Sequence, residues 1–135
     1  MTDKHHLYSI SDLAKEFGIT PRTIRFYEDK GLISPRRVGT NRVYDYRDRA
    51  RLALVLRFKD LGMKLDRTKE FLDLYDVDKT RITQLKNGFR GICERIDELE
   101  QQIAKLQNNL DKLYELKEEA VAKLRERGVD PDTEL

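Results

Sequence analysis

The apolar positions of this chain follow two rhythms. From Ile10 to Leu74 they come in short helical groups separated by turn residues, whereas from Ile82 to Leu113 they recur at alternating intervals of three and four. The second set is Ile82, Leu85, Phe89, Ile92, Ile96, Leu99, Ile103, Leu106, Leu110 and Leu113, a heptad seam that demands a partner helix. No other helix of matching length can be read in the chain, so the simplest partner is a second copy, giving a homodimer. Gly88 and Gly91 are expected to loosen or bend the start of this helix. The seam lapses at Lys117, Arg127-Gly128 ends the helix, and a tail with Pro131 follows.

The first rhythm is organised around Thr20 to Arg42. Thr20 suits an N-cap, Pro21 the first helical position, and Gly31 the left-handed residue that closes a helix. Upstream, Ser9-Ile10-Ser11-Asp12 fits a capping box, and Leu13, Ala14 and Phe17 give that earlier helix a buried stripe. Phe17-Gly18-Ile19 then supplies the turn between two helices spaced as a helix-turn-helix, the second being the recognition helix. Ser34 to Tyr44 reads as a hairpin wing with Gly39 to Asn41 near its tip. Asp45 to Asp48 is a second capping box, opening a helix that stops at Gly62, and a shorter helix with Thr68, Phe71, Leu72 and Leu74 follows. The fold class is mainly α: a winged helix-turn-helix domain with connecting helices at 1–76, a long dimerisation helix at 77–128 and a flexible tail at 129–135.

Charge sharpens this picture. The net +2 hides 14 Lys and Arg against 8 Asp and Glu up to Lys64, and 13 against 17 thereafter. Cations clustered with the recognition elements suit a polyanion whose counterions they displace. On the second helix Arg22 and Thr23 lie in the first turn, where bases are read, with Arg25 and Tyr27 in reach of phosphates. Arg36, Arg37 and Arg42 line the wing, where guanidinium forks can clamp a phosphate backbone. Arg47, Arg49 and Arg51 open the next helix against its dipole; a solvated face is the preferred reading there, a phosphate contact the other.

Other classes find little support. The two histidines are His5 and His6, and no nucleophile-base pairing, phosphate-cradling glycine loop or metal-ligand cluster is evident, so neither catalytic nor metal residues are assigned, no cofactor is expected, and the chain is not read as an enzyme. A single cysteine, Cys93, excludes an internal disulfide framework. No run approaches a membrane span and the start lacks a signal peptide's apolar stretch, so no membrane partner and a cytoplasmic location are expected.

Taken together, Ile10-Ser11-Asp12-Leu13-Ala14, Gly18-Ile19-Thr20, Thr23 to Glu28, Gly31-Leu32-Ile33, Arg42-Val43-Tyr44 and Leu61-Gly62-Met63 resemble the MerR family of bacterial transcription regulators. Phe26 stands where many members have tyrosine. The resemblance implies an antiparallel coiled-coil homodimer on double-stranded promoter DNA, bending and untwisting an overlong spacer so that RNA polymerase can engage. It also implies DNA contacts from Arg22, Thr23, Arg25, Tyr27, Arg36, Arg37, Arg42 and Tyr44. Metal-sensing members carry cysteines near both ends of the dimerisation helix; here that segment has Cys93 alone, read as a small residue near the interface. Phe26-Tyr27-Glu28-Asp29, Arg47-Asp48-Arg49 and Leu72 to Asp76 are similar to the subgroup controlling branched-chain amino acid and acyl catabolism, which implies an acyl-CoA or acid as small-molecule effector. The rival reading is a coiled-coil adaptor whose basic head binds an acidic protein.

Overall fold

A computed structural model describes residues 5–77 and 81–132. In order, α1 spans Ile10–Phe17, α2 Pro21–Asp29, β1 Arg36–Val38, β2 Asn41–Val43, α3 Tyr46–Asp60, α4 Leu65–Val77 and α5 Ile82–Glu126. The chain divides into two compact units, 1–92 and 93–135. The first therefore extends beyond residue 76 to take in α5 as far as Ile92.

Side-chain caps set the helix starts. Ser9 Oγ accepts from the Asp12 N–H at 3.0 Å while the Asp12 carboxylate accepts from the Ser9 N–H at 2.9 Å, the reciprocal pair expected at α1. Those contacts hold the Asp12 carboxyl below its usual range. Asp45 and Asp48 repeat the arrangement at α3, with bonds of 2.9 and 3.1 Å. At α2, Thr20 Oγ1 accepts from the Thr23 N–H at 3.1 Å and Pro21 takes the first helical position. The helix ends where Gly31 adopts φ +76° and lets the Leu32 N–H reach the Tyr27 carbonyl at 2.9 Å.

The wing is an antiparallel pair in the register Arg36↔Val43, Arg37↔Arg42, Val38↔Asn41, turning through Gly39-Thr40. A contact the sequence did not announce lies at its base. Tyr8 bridges Tyr44 through two backbone hydrogen bonds of 2.8 and 2.9 Å, so the segment before α1 pairs with the end of the wing. Leu13, Ile24, Leu32, Ile33, Tyr44, Leu52 and Val55 are fully buried, bringing α1, α2, the wing base and α3 to one core that α4 joins through Leu72.

Gly88 and Gly91 have a packing role. The α5 helix runs unbroken through both, and a Cβ at Gly88 would lie 2.8 Å from Phe71 Cε2 on α4, one at Gly91 3.3 Å from the Met63 terminal methyl. The expected loosening is thus replaced by close approach between α4 and the start of α5. Gln84 Nε2 reinforces it by donating to the Phe71 carbonyl at 2.9 Å. Replacing Gly88 by Val should cost about 2 kcal/mol through overpacking. Denaturant titration in a Phe71→Ala background should return a clearly smaller cost, because the clashing ring is gone.

The second unit carries α5 from Cys93 onward, ending where Gly128 adopts φ +77° and the Val129 N–H reaches the Leu124 carbonyl at 2.9 Å. All ten seam residues, Ile82 to Leu113, are exposed in the single chain, from 38% at Leu99 to 69% at Phe89. The tail expected at 129–135 begins with this cap; its residues 133–135 lie outside the described range.

Candidate nucleic-acid interface

The arginines divide into those the fold uses and those it leaves available. Arg22 and Arg25 project, exposed, from α2, and Arg36 is exposed on β1. Among the described residues none of the three side chains makes a hydrogen bond or ion pair. Thr23 is half-buried, its Oγ1 lying 3.0 Å from Thr20 Oγ1, so its hydroxyl belongs to the helix cap while its position stays in the first turn. Arg22 and Lys59 flank an open hollow of about 460 Å³ walled by Phe26, Tyr27, Val55, Met63 and Leu65.

Two wing arginines are engaged. Arg42 Nε donates to Glu28 Oε2 at 2.7 Å, and Arg37 Nη2 lies 3.8 Å from Glu28 Oε1. Glu28, on the third turn of α2, escaped the sequence reading. An acidic side chain beside a basic hairpin was the available signal.

Tyr27 and Tyr44 require correction as surface contacts. Tyr27 is 2% exposed because it follows Ile24 by three positions on the core-facing side of α2, with its ring packed 5.7 Å from that of Phe26. Tyr44 is completely buried, and among the described residues its hydroxyl has no hydrogen-bond partner. Burial, with the Glu28 carboxylate nearby, pushes that phenol up to about 12, so it stays protonated. Both rings support the elements that carry the arginines.

The start of α3 is equally structural. Arg49 bonds both carboxylate oxygens of Glu16 at 2.8 and 3.0 Å, and its guanidinium carbon lies 5.9 Å from the ring centres of Tyr8 and Phe17. Arg51 donates to the carbonyls of Leu32 at 2.6 Å and Leu72 at 3.2 Å, and to Asp73 at 3.0 Å. Neither solvation nor phosphate accounts for these two cations; partners on other elements do. Asp48, inside its capping box, also accepts from the Ser34 N–H at 3.2 Å, and burial pushes its carboxyl up to about 6 against the lowering effect of those N–H groups.

Among the described residues no cluster of His, Cys, Asp or Glu is arranged to hold a metal ion, Cys93 is exposed, and no helix is long and apolar enough to cross a membrane.

Residues 8–74 match the family model described as MerR HTH family regulatory protein, and residues 49–116 the one described as MerR, DNA binding. The regulator CueR of Escherichia coli O6:H1 is 33% identical over 110 residues, covering 80% of this chain and 79% of that one. A ZntR homolog of Haemophilus influenzae is 33% identical over 115 residues, covering 84% and 83%. Among solved structures, HiNmlR, a MerR family regulator lacking the sensor domain and bound to promoter DNA, aligns over 96% of this chain and 97% of its own, with 27% identity and a TM-score of 0.58. The fold is also that of PbrR691 from Ralstonia metallidurans, determined with lead(II), at 23% identity and a TM-score of 0.68 over 82% and 86% of the two chains.

Proposed function

The chain belongs to the MerR family and is a DNA-binding transcription regulator, and we propose that it grips promoter DNA as a homodimer, α2 entering the major groove and the wing following the phosphate backbone. One observation carries this reading: among the described residues, the side chains of Arg22, Arg25 and Arg36 make no hydrogen bond or ion pair, on elements that are otherwise capped, paired and packed. Arg22 and Thr23 sit in the turn that meets base edges, Arg25 and Arg36 serve phosphates, and Arg37 and Arg42 contribute from the wing. Tyr27 and Tyr44 act from beneath as supports. The ten-residue seam of α5 supplies the dimer contact, as an antiparallel coiled coil, and two half-sites joined in this way give the leverage to bend and untwist an overlong spacer for RNA polymerase.

The effector assignment is an acyl-CoA, supported by the likeness of Phe26 to Asp29, Arg47 to Arg49 and Leu72 to Asp76. Much of that likeness falls on residues with framework contacts: Tyr27 in the core, Glu28 of α2 bound to Arg42 of the wing, Asp48 and Arg49 at the α3 start, and Asp73 bound to Arg51. It therefore speaks more for a shared scaffold than for a shared ligand.

Footprinting on the promoter DNA adjoining the protein's own gene tests both levels. Symmetric protection across a long spacer is expected, with cleavage at its centre changing on addition of a branched acyl-CoA; an unchanged centre would discard the effector class. Arg25→Ala should weaken binding to every duplex about tenfold and lower the salt slope by about 1, whereas Arg22→Ala should also relax sequence preference. Unchanged affinity in both variants would remove α2 from the groove.

A further inference from the structure

Building on the DNA-binding reading, we propose that Glu28 is a positioning residue that fixes the wing at a set distance from the recognition helix and thereby governs how selectively the protein reads its promoter. The foot of the wing is anchored by the buried Tyr44 and its backbone bridge to Tyr8, but the two strands beyond it have little to hold them in place. All three β1 residues are exposed, and among the described residues every side-chain hydrogen bond or ion pair from β1 and β2 to another element ends on Glu28. The register sets Arg37 directly opposite Arg42, where two guanidinium groups on one face repel. The Glu28 carboxylate takes one on each oxygen.

Its two contacts are unequal. The 2.7 Å bond to Arg42 joins side chains only 20% and 25% exposed, whereas the 3.8 Å approach of Arg37 involves a side chain 54% exposed. A short, partly desolvated, charge-assisted bond persists; a long solvated one exchanges readily for phosphate. Arg42 is thus the tether, and Arg37 the cation handed to DNA. Because Glu28 shares α2 with Arg22 and Arg25, the tether fixes the spacing between base-reading and backbone-gripping groups. A wing held at one spacing favours the duplex whose shape fits it, while a freed wing finds phosphates on any duplex.

The test uses the full chain and two duplexes of equal length, the promoter adjoining its gene and a scrambled sequence, titrated over a series of salt concentrations. Glu28→Gln keeps the side-chain shape and removes the charge. It should lower the promoter-to-scrambled affinity ratio about tenfold or more, within the range such ratios span. Arg42→Gln, which leaves the carboxylate in place, should do the same, and the double variant should be no less selective than either single one. Arg37→Gln should weaken binding to both duplexes, lower the salt slope by about 1 and leave the ratio intact. Tighter binding of both duplexes by Glu28→Gln in equal measure would show a carboxylate that merely repels DNA, and additive losses in the double variant would show independent roles; either result overturns the proposal. A wild-type protein that prefers neither duplex would instead defeat the DNA-binding reading on which it rests.

Discussion

Leu106→Glu is expected to turn the dimer into a monomer at micromolar concentration and to weaken promoter binding at least a hundredfold. Leu106 is 66% exposed in the single chain and lies within a seam whose ten members are all exposed. Burying a leucine against a partner helix stabilises by about 2 kcal/mol, and a dimer contains two of them. The substitution removes both contributions and places two carboxylates where they must either lose water or take up protons, at several kcal/mol more. Loss of the dimer also removes simultaneous engagement of two half-sites, and the affinity that simultaneity supplies. Sedimentation and a promoter titration read the two effects together. Asn108→Glu, on the opposite face of α5, is the control and should preserve both mass and affinity. A Leu106→Glu protein that remains dimeric would place the interface elsewhere.

Arg51→Ala should destabilise the first unit by about 2–4 kcal/mol. Three contacts vanish at once, to the carbonyls of Leu32 and Leu72 and to Asp73, and hydrogen bonds from a charged donor are worth about 1.5–3 kcal/mol each before relaxation. The carbonyls are the costly part, since a part-buried acceptor stripped of its donor keeps its desolvation penalty. Arg51→Lys should recover only a fraction, because a single ammonium cannot span three acceptors on two elements. Arg49→Ala, which loses an ion pair with Glu16 between side chains each about a third exposed and strips no backbone carbonyl of its donor, should cost about 1 kcal/mol or less. Urea denaturation of the three variants gives the ranking. Equal losses for Arg49→Ala and Arg51→Ala would contradict it.

What could be read from the sequence was what is local. The capping boxes at Ser9 and Asp45 and the cap at Thr20 are legible because each partner lies three residues away, and the wing tip because Gly39 marks the turn between two short runs. The length of α5 is legible because its apolar period runs through ten positions without a miss. The fates of individual arginines were not, since Arg42, Arg51 and Arg49 meet acids 14, 22 and 33 residues away, and nothing in a charge announces its distant partner. Tyr27 shows a different limit. Its three-residue spacing from Ile24 marked it as core, but a neighbourhood of arginines made an aromatic hydroxyl look like a phosphate ligand. Gly88 was judged on helix propensity, and the reason for a glycine there, the ring of Phe71, sits on another helix.

The bridge between Tyr8 and Tyr44 bears on how the protein can be handled. Because both backbone groups of Tyr8 are engaged with Tyr44, whatever is joined ahead of Tyr8 is delivered to the foot of the wing and tethered there by only a few residues. A purification handle or fluorescent fusion on that side would crowd the hairpin whose spacing matters for binding. A label attached beyond the Gly128 cap belongs to the other unit.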